Sequence, residues 1–252
     1  MTTGTPRVGE SARTPTAGTP ERDAVRQMFD RIAPRYDLLN RVLSARQDVR
    51  WRRRCVDALG LPAGSRVLDL CTGTGDLLLE WLGRDPRNRG EGVDLAGGML
   101  GVGRRKLGRA IGSGRGGLAQ GDSMRLPFVG ECFDGAMVAF GIRNVADPGE
   151  ALSEVARVLR PGCPLVILEF GVPRGVLGRA YRLYFSRVLP RIGGWVSGDA
   201  GAYTYLPQSV GRWLSPEGLA RLMEESGFRR VTRHRLSLGI AWLHRGTTGD
   251  SQ

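Results

Sequence analysis

Apolar residues along this chain change period several times. Between about residue 60 and residue 170 they gather into short runs at 66–71, 90–95, 117–122, 133–140 and 164–170, which read as strands. The stretches between the runs are long enough for crossover helices; one, "EALSEVARVLRPG" (150–162), stops at Pro161-Gly162. Strands alternating with helices predict a parallel sheet. Upstream, Val25, Met28, Phe29 and Ile32, then Leu38, Leu39, Val42 and Leu43, recur at helical spacing and predict two or three helices over 21–60, interrupted at Pro34. Downstream, "SPEGLARLMEESG" (215–227) predicts a helix with Ser215 as N-cap and Gly227 just past its end, followed by strands "FRRVTRHRLS" and "IAWLHRGT". Residues 1–20, rich in Thr, Pro and Gly, have no periodicity and are expected to form a disordered tail.

With 252 residues and 41% hydrophobic content, the chain can bury a full core, and a single domain over 21–246 with a short tail at 247–252 is expected. No run of about 18 apolar residues and no apolar leader is present, which predicts a cytoplasmic protein. The four cysteines lie far apart and only His234 and His244 are available, so no metal site is expected and the thiols are read as reduced.

Chemistry concentrates in "RVLDLCTGTGDL" (66–77), where an apolar run ends in an acid and opens into a glycine turn. A phosphate loop would need Gly-Lys-Ser/Thr, but the only lysine is Lys106. A dinucleotide fingerprint would need a third glycine where Leu78 stands. What remains is Asp69, Gly73, Gly75 and a second acid, Asp94, at the tip of the next strand, a combination that resembles the S-adenosylmethionine loop of class I methyltransferases. That cofactor has an amino group and a ribose diol but no phosphate, so it asks for acceptors: Asp69 serves the amino group through the loop, and Asp94 accepts the ribose hydroxyls.

Several further stretches point the same way. "YDLLN" (36–40), "LDLCTGTGDL" (68–77), "LPF" (126–128), "FGIRNVAD" (140–147), "RVLRPG" (157–162), "LEF" (168–170) and "VLPRIGG" (188–194) together resemble the menaquinone/ubiquinone biosynthesis C-methyltransferases over residues 21–246. The resemblance implies an α/β fold of the class I S-adenosylmethionine-dependent methyltransferase type: a Rossmann-like, seven-stranded, mostly parallel sheet with its last strand antiparallel, plus N-terminal helices and an inserted lid. It implies methylation of a ring carbon of a prenylated quinol, demethylmenaquinol in preference to a ubiquinone precursor or another prenylated aromatic. It also puts Thr74 and Asp94 on the cofactor, with Asp122 and Ser123 flanking the adenine. Ala139 stands where the family often has Ser, so that position is left out of the expected site.

A ring carbon attacks only when its neighbouring hydroxyl is close to deprotonated, which makes the reduced quinol the substrate. Both histidines lie in the last two strands, away from any expected site. "FGIRN" begins at the carboxyl end of the fourth strand, where open α/β sheets bind ligands. Arg143 is expected to stabilise a developing phenolate, a guanidinium being a poor direct base. Asn144 is expected to position the quinol oxygen. Tyr36 has two readings, a proton relay that closes the pocket together with Asp37, or ordinary packing of an N-terminal helix.

Net charge is +12, and "RVLSARQDVRWRRR" (41–54) sets six arginines around Trp51, a pattern that suits anionic lipid or a phosphate backbone. Seven of the 17 aromatics fall between 181 and 213, and Tyr181, Tyr184, Phe185 and Val188 share helical spacing amid arginines. Residues 171–214 are therefore expected to form a lid that takes a prenyl tail at an anionic membrane surface, at the inner face of the cell membrane. A core-facing helix with snorkelling arginines is the rival reading. A nucleic-acid partner is not expected, because no Asn/Asp-Pro-Pro-Tyr/Phe tetrapeptide of an RNA methyltransferase is present, and the third glycine and Ser/Tyr-x-x-x-Lys pair of a nicotinamide oxidoreductase are absent too. Neither a monomer nor a homo-oligomer is read from the sequence.

Overall fold

The computed structural model describes residues 22–173, 175, 178–179, 183 and 200–249. The expected N-terminal tail lies outside the described residues, and so do most of the lid segment and its Tyr181, Tyr184, Phe185, Val188 and Trp195.

The chain opens with α1 (Arg22–Ile32), a 3-10 turn (Ala33–Arg35) that contains Pro34, α2 (Tyr36–Leu43) and α3 (Gln47–Leu59). The α/β part follows as β1 (Arg66–Leu70), α4 (Asp76–Leu82), β2 (Arg89–Asp94), α5 (Gly97–Gly112), β3 (Gly116–Gln120), β4 (Gly135–Ala139), α6 (Pro148–Val158) and β5 (Pro164–Phe170). After α7 (Ala200–Arg212) and α8 (Pro216–Glu225) come β6 (Phe228–Leu236) and β7 (Ala241–Thr248). Helix α6 ends earlier than Pro161-Gly162, because Leu159 leaves it to bridge Phe133. Ser215 caps α8 by accepting from Gly218 N–H, and Gly227 past its end takes φ 96°, a conformation that glycine adopts without a Cβ penalty.

The seven strands are ordered β3-β2-β1-β4-β5-β7-β6, all β1–β5 pairings being parallel and β7 antiparallel to both its neighbours. Strand order reverses between β1 and β4, so the carboxyl ends of these two central strands flank the crevice where such sheets take ligands. Strands β4 and β5 are buried on both faces, which explains runs such as "PLVILEF" without polar alternation. One core lies under α6 and α8 (Leu152, Val155, Met223), the other under α3 and α4 (Cys55, Leu59, Leu78). A third cluster, Met28, Ile32, Leu39 and Met99, seats α1 and α2 on the start of α5, over the carboxyl ends of β1 and β2.

Two expectations are corrected. The C-terminal tail does not begin at 247, since β7 runs to Thr248, whose hydroxyl donates to Arg160 C=O. Trp51 does not face a lipid surface: it is buried against Phe140 and Phe170 and donates Nε1–H to Ser237 Oγ. Its neighbour Arg52 is also buried, paired with Asp48 and reaching Asp76, so the arginine run is only partly surface. Among the described residues no helix is long and apolar enough to cross a membrane.

Candidate active site

A cleft open to solvent lies above the carboxyl ends of β1, β2 and β4. Its floor is made by the turns that leave these strands, and two of them are strained. Cys71 after β1 and Phe140 after β4 take φ 52° and 59°, left-handed values that are costly for side chains of their size. Between them Gly141 is obligatory, because a Cβ there would come within 2.3 Å of Cys71 Cβ. Burial pushes the Cys71 thiol up to about 12, so it lines the cleft as a neutral group.

Asp94 is the best-organised polar group on this wall. Its Oδ2 accepts Gly73 N–H at 2.8 Å and its Oδ1 accepts Ala96 N–H at 2.8 Å, which fixes the carboxylate at the rim of the glycine loop. Burial raises its pKa, and the two backbone donors oppose that rise. Asp122, Ser123 and Met124 continue the wall, with Asp122 Oδ1 accepting Met124 N–H and Ser123 Oγ 3.5 Å from Cys71 Sγ. Val25, Phe29, Leu95 and Met99 supply apolar surface.

The other glycine-loop residues serve the loop from beneath. Asp69 is fully buried and does not line the cleft: Oδ2 accepts Thr72 Oγ1–H at 2.5 Å and Leu78 N–H at 3.1 Å, holding the turn on the first residues of α4. Burial pushes its carboxyl up to about 7. Gly75, with φ 78°, sits under α5, where a Cβ would meet Leu107 Cδ1 at 2.8 Å. Thr74 turns its side chain away from the cleft and donates Oγ1–H to Asp37 Oδ1 at 2.6 Å. Asp37 therefore faces the underside of the loop, not Tyr36's side of the cleft.

Tyr36 and Asn144 both line the cleft, with Gly73 and Asp94. Burial raises the Tyr36 pKa, so its hydroxyl stays protonated, while a hydrogen bond with Asn40 and then the charges of Arg52 and Arg143 pull the other way. Asn144 Oδ1 accepts Tyr205 Oη–H at 2.8 Å, an anchor supplied by α7. Arg143 itself is not on the cleft wall. Its guanidinium is buried, donating through Nη1 to Glu169 Oε1 at 2.8 Å and to Phe140 C=O, and stacking over the Phe170 ring at 5.3 Å. Its positive charge pulls the Tyr36 and Tyr205 pKa values down against the burial that raises both, and at Tyr205 the Glu169 charge opposes it.

Sequence reasoning missed Glu169, Tyr205, Thr72 and Lys106. Tyr205 belonged to the aromatic concentration already noted, and being the only lysine was the available signal for Lys106. His244 is buried on the far side, with Nε2 2.9 Å from Pro216 C=O. Among the described residues no cluster of three His, Cys, Asp or Glu could hold a metal ion.

The donor set suits S-adenosylmethionine. Two acids face the cleft and Arg26 is the one cation among the residues that line it, a charge balance that would repel a nucleotide's phosphates and welcome amine and hydroxyl donors. Beside the acids the lining is apolar (Val25, Phe29, Leu95, Met99), which suits the faces of an adenine ring.

The model of the ubiE/COQ5 methyltransferase family matches residues 17–248. A demethylmenaquinone methyltransferase of Thermus thermophilus is 48% identical over 223 residues, covering 87% of this chain and 99% of that protein. A ubiquinone/menaquinone biosynthesis C-methyltransferase UbiE of Geobacter sulfurreducens is 45% identical over 233 residues, covering 92% and 91%. Among solved structures, an S-adenosylmethionine-dependent methyltransferase of Thermotoga maritima, described as a possible histamine N-methyltransferase, superposes with a TM-score of 0.62 at 22% identity, covering 88% of this chain and 98% of that one, a likeness of fold.

Proposed function

The chain belongs to the ubiE/COQ5 methyltransferase family, and from that premise we propose that it methylates a ring carbon of a prenylated quinol, demethylmenaquinol, to give menaquinol. It is an S-adenosylmethionine-dependent methyltransferase. The observation that carries the substrate reading, beside the relatives' names, is that Asp94 and the pair Tyr36–Asn144 line one cleft: an acid suited to the cofactor shares it with two neutral hydrogen-bonding groups suited to a quinol oxygen.

Asp94 accepts the ribose hydroxyls, Asp122 and Ser123 flank the adenine, and the Gly73 turn leaves room for the amino-acid end. Asp69 holds that turn through Thr72, and Gly75 and Thr74 fix its far side. Bound S-adenosylmethionine supplies an electrophilic methyl group on a sulfonium. Tyr36, kept protonated by burial, donates to the quinol oxygen, and Asn144, held by Tyr205, orients it. Arg143 favours negative charge at that oxygen through its field, while its pairing with Glu169 prevents a bare buried cation from opposing the sulfonium. Attack by a quinolate carbon on a sulfonium annihilates charge, so a cleft walled by Val25, Phe29 and Met99 favours it over water.

The prenyl tail makes a transient contact with an anionic membrane surface part of this reading, with the chain cytoplasmic and peripheral at the inner face. Leu38 and Val42 are exposed on α2, and Arg35, Arg41 and Arg46 around them are exposed too, which supports such a contact. The lid role of 171–214 stays part of the proposal, with Tyr205 as its described contribution. A strain lacking the gene should accumulate a menaquinone precursor short of one ring methyl group, restored by the wild-type gene. An unchanged quinone profile would refute the reading, and a ubiquinone precursor accumulating instead would redirect it.

A further inference from the structure

Every cation in this chain is arginine except one, and that lysine stands at a junction of four helices beneath the glycine loop. Lys106, on α5, donates to Asp37 Oδ2 at 2.7 Å, to Thr74 Oγ1 at 3.1 Å and to Asp76 Oδ1. Thr74 donates its own Oγ1–H to Asp37 Oδ1, so donors and acceptors match throughout. The other oxygen of Asp76 faces Arg52 of α3 at 3.9 Å and Arg41 of α2 at 4.0 Å. Lys106, Asp37 and Asp76 are each about four-fifths buried, which shields their attraction from solvent more than a surface pair would be.

The geometry explains the residue type. An ammonium has three protons arranged as a tripod on a slim stem, and here three oxygens from three elements converge on it. A guanidinium is a planar fork that matches two oxygens in its own plane; it cannot satisfy the same three acceptors without pushing them apart.

The elements joined are informative. Asp37 adjoins Tyr36, and Thr74 adjoins Gly73; Tyr36 and Gly73 both line the cleft, while Lys106 does not. We propose that Lys106 is a positioning residue that locks the cofactor loop to the helix carrying Tyr36, so that filling the cofactor site and setting the substrate-facing wall are one event. Two sites joined by a rigid ionic link share their ordering cost, and each ligand then favours the other. The inference goes beyond the substrate reading and needs only the cofactor.

The test uses the full-length protein and S-adenosylhomocysteine, with no quinol present, so its failure leaves the substrate reading untouched. Wild type, Lys106→Arg, Lys106→Met and Asp37→Asn are compared by calorimetric titration and by hydrogen exchange of the α2 amides, with folding checked by circular dichroism. Ligand should slow α2 exchange in wild type. Both Lys106 variants should bind roughly tenfold more weakly, Arg no better than Met, and saturating ligand should no longer protect α2. Asp37→Asn, altered on a different helix and off the cleft wall, should show the same two losses; it decides the matter if the Lys106 variants do not fold. Lys106→Arg binding like wild type, or α2 protected by ligand in Lys106→Met or Asp37→Asn as in wild type, would overturn the proposal.

Discussion

Arg143 and Glu169 form an ion pair with Nη1 2.8 Å from Oε1, and their side chains are 5% and 1% exposed. The second carboxylate oxygen, Oε2, has no hydrogen-bond partner among the described residues. Burial raises the Glu169 pKa and the guanidinium opposes the rise, so the carboxylate's charge depends on its neighbour. The pair sits behind the cleft, where the carboxylate fixes the position of the guanidinium that we propose favours negative charge at the substrate oxygen.

Removing either partner leaves a buried charge uncompensated. Glu169→Ala should therefore lower the free energy of unfolding by about 3–5 kcal/mol, whereas replacing both residues by apolar ones of similar volume should recover much of that loss. Denaturant titration of the single and double variants measures it. A single-variant loss under about 1 kcal/mol would mean that the pair behaves like a surface salt bridge.

In the fraction that stays folded, Arg143→Gln should reduce kcat far more than affinity for S-adenosylhomocysteine, if the guanidinium acts as proposed on charge that develops on the substrate. Steady-state kinetics alongside calorimetry separates the two. A loss confined to cofactor affinity would reassign Arg143 to binding.

Asp94→Ala should weaken cofactor binding by roughly 1.5–3 kcal/mol, the scale of hydrogen bonds to a charged group. Gly73 and Ala96 N–H lose their acceptor in the same variant, so the glycine turn should loosen as well. Calorimetric titration is the measurement, and unchanged affinity would remove Asp94 from the cofactor site.

Asp69 gives the cofactor-free protein a pH dependence of definite sign. Burial is the main cause of its rise to about 7, against an ordinary value of 3.8. A group whose folded pKa is raised contributes stability that is fully present below the unfolded pKa and is lost as pH rises through the folded one. Wild type should thus lose stability relative to Asp69→Asn as pH goes from about 4 to about 8, by an amount set by that shift. Thermal midpoints of the two proteins across this range test it, and parallel curves would contradict the raised pKa.

The periodic features of this fold were legible because they are local. Strand runs such as "PLVILEF" and the capped helix after Ser215 declare themselves through neighbours a few residues away. The place of Asp94 on the cleft wall was legible because a strand tip is a fixed place in an α/β sheet. What stayed hidden was pairing at a distance. Thr74 read as a cofactor contact, since nothing local shows that Asp37 and Lys106, 37 and 32 positions away, would take its hydroxyl. Arg143 read as free to meet a substrate because its partner lies 26 positions on, in the next strand. Trp51 among arginines looked like a surface, and only the packing of α3 on β4 and β5 shows that one face of that helix is core.

The central claim is carbon methylation of a reduced prenylated quinone, and one measurement addresses it most directly. Purified protein is incubated with S-adenosylmethionine carrying a labelled methyl group and demethylmenaquinone, either held reduced by dithionite or left oxidised, and the extracted quinones are analysed by mass spectrometry. The account predicts one labelled methyl group on the ring carbon in the reduced sample and none in the oxidised one. Absence of label from the ring under reducing conditions, or equal labelling of the oxidised quinone, would contradict it.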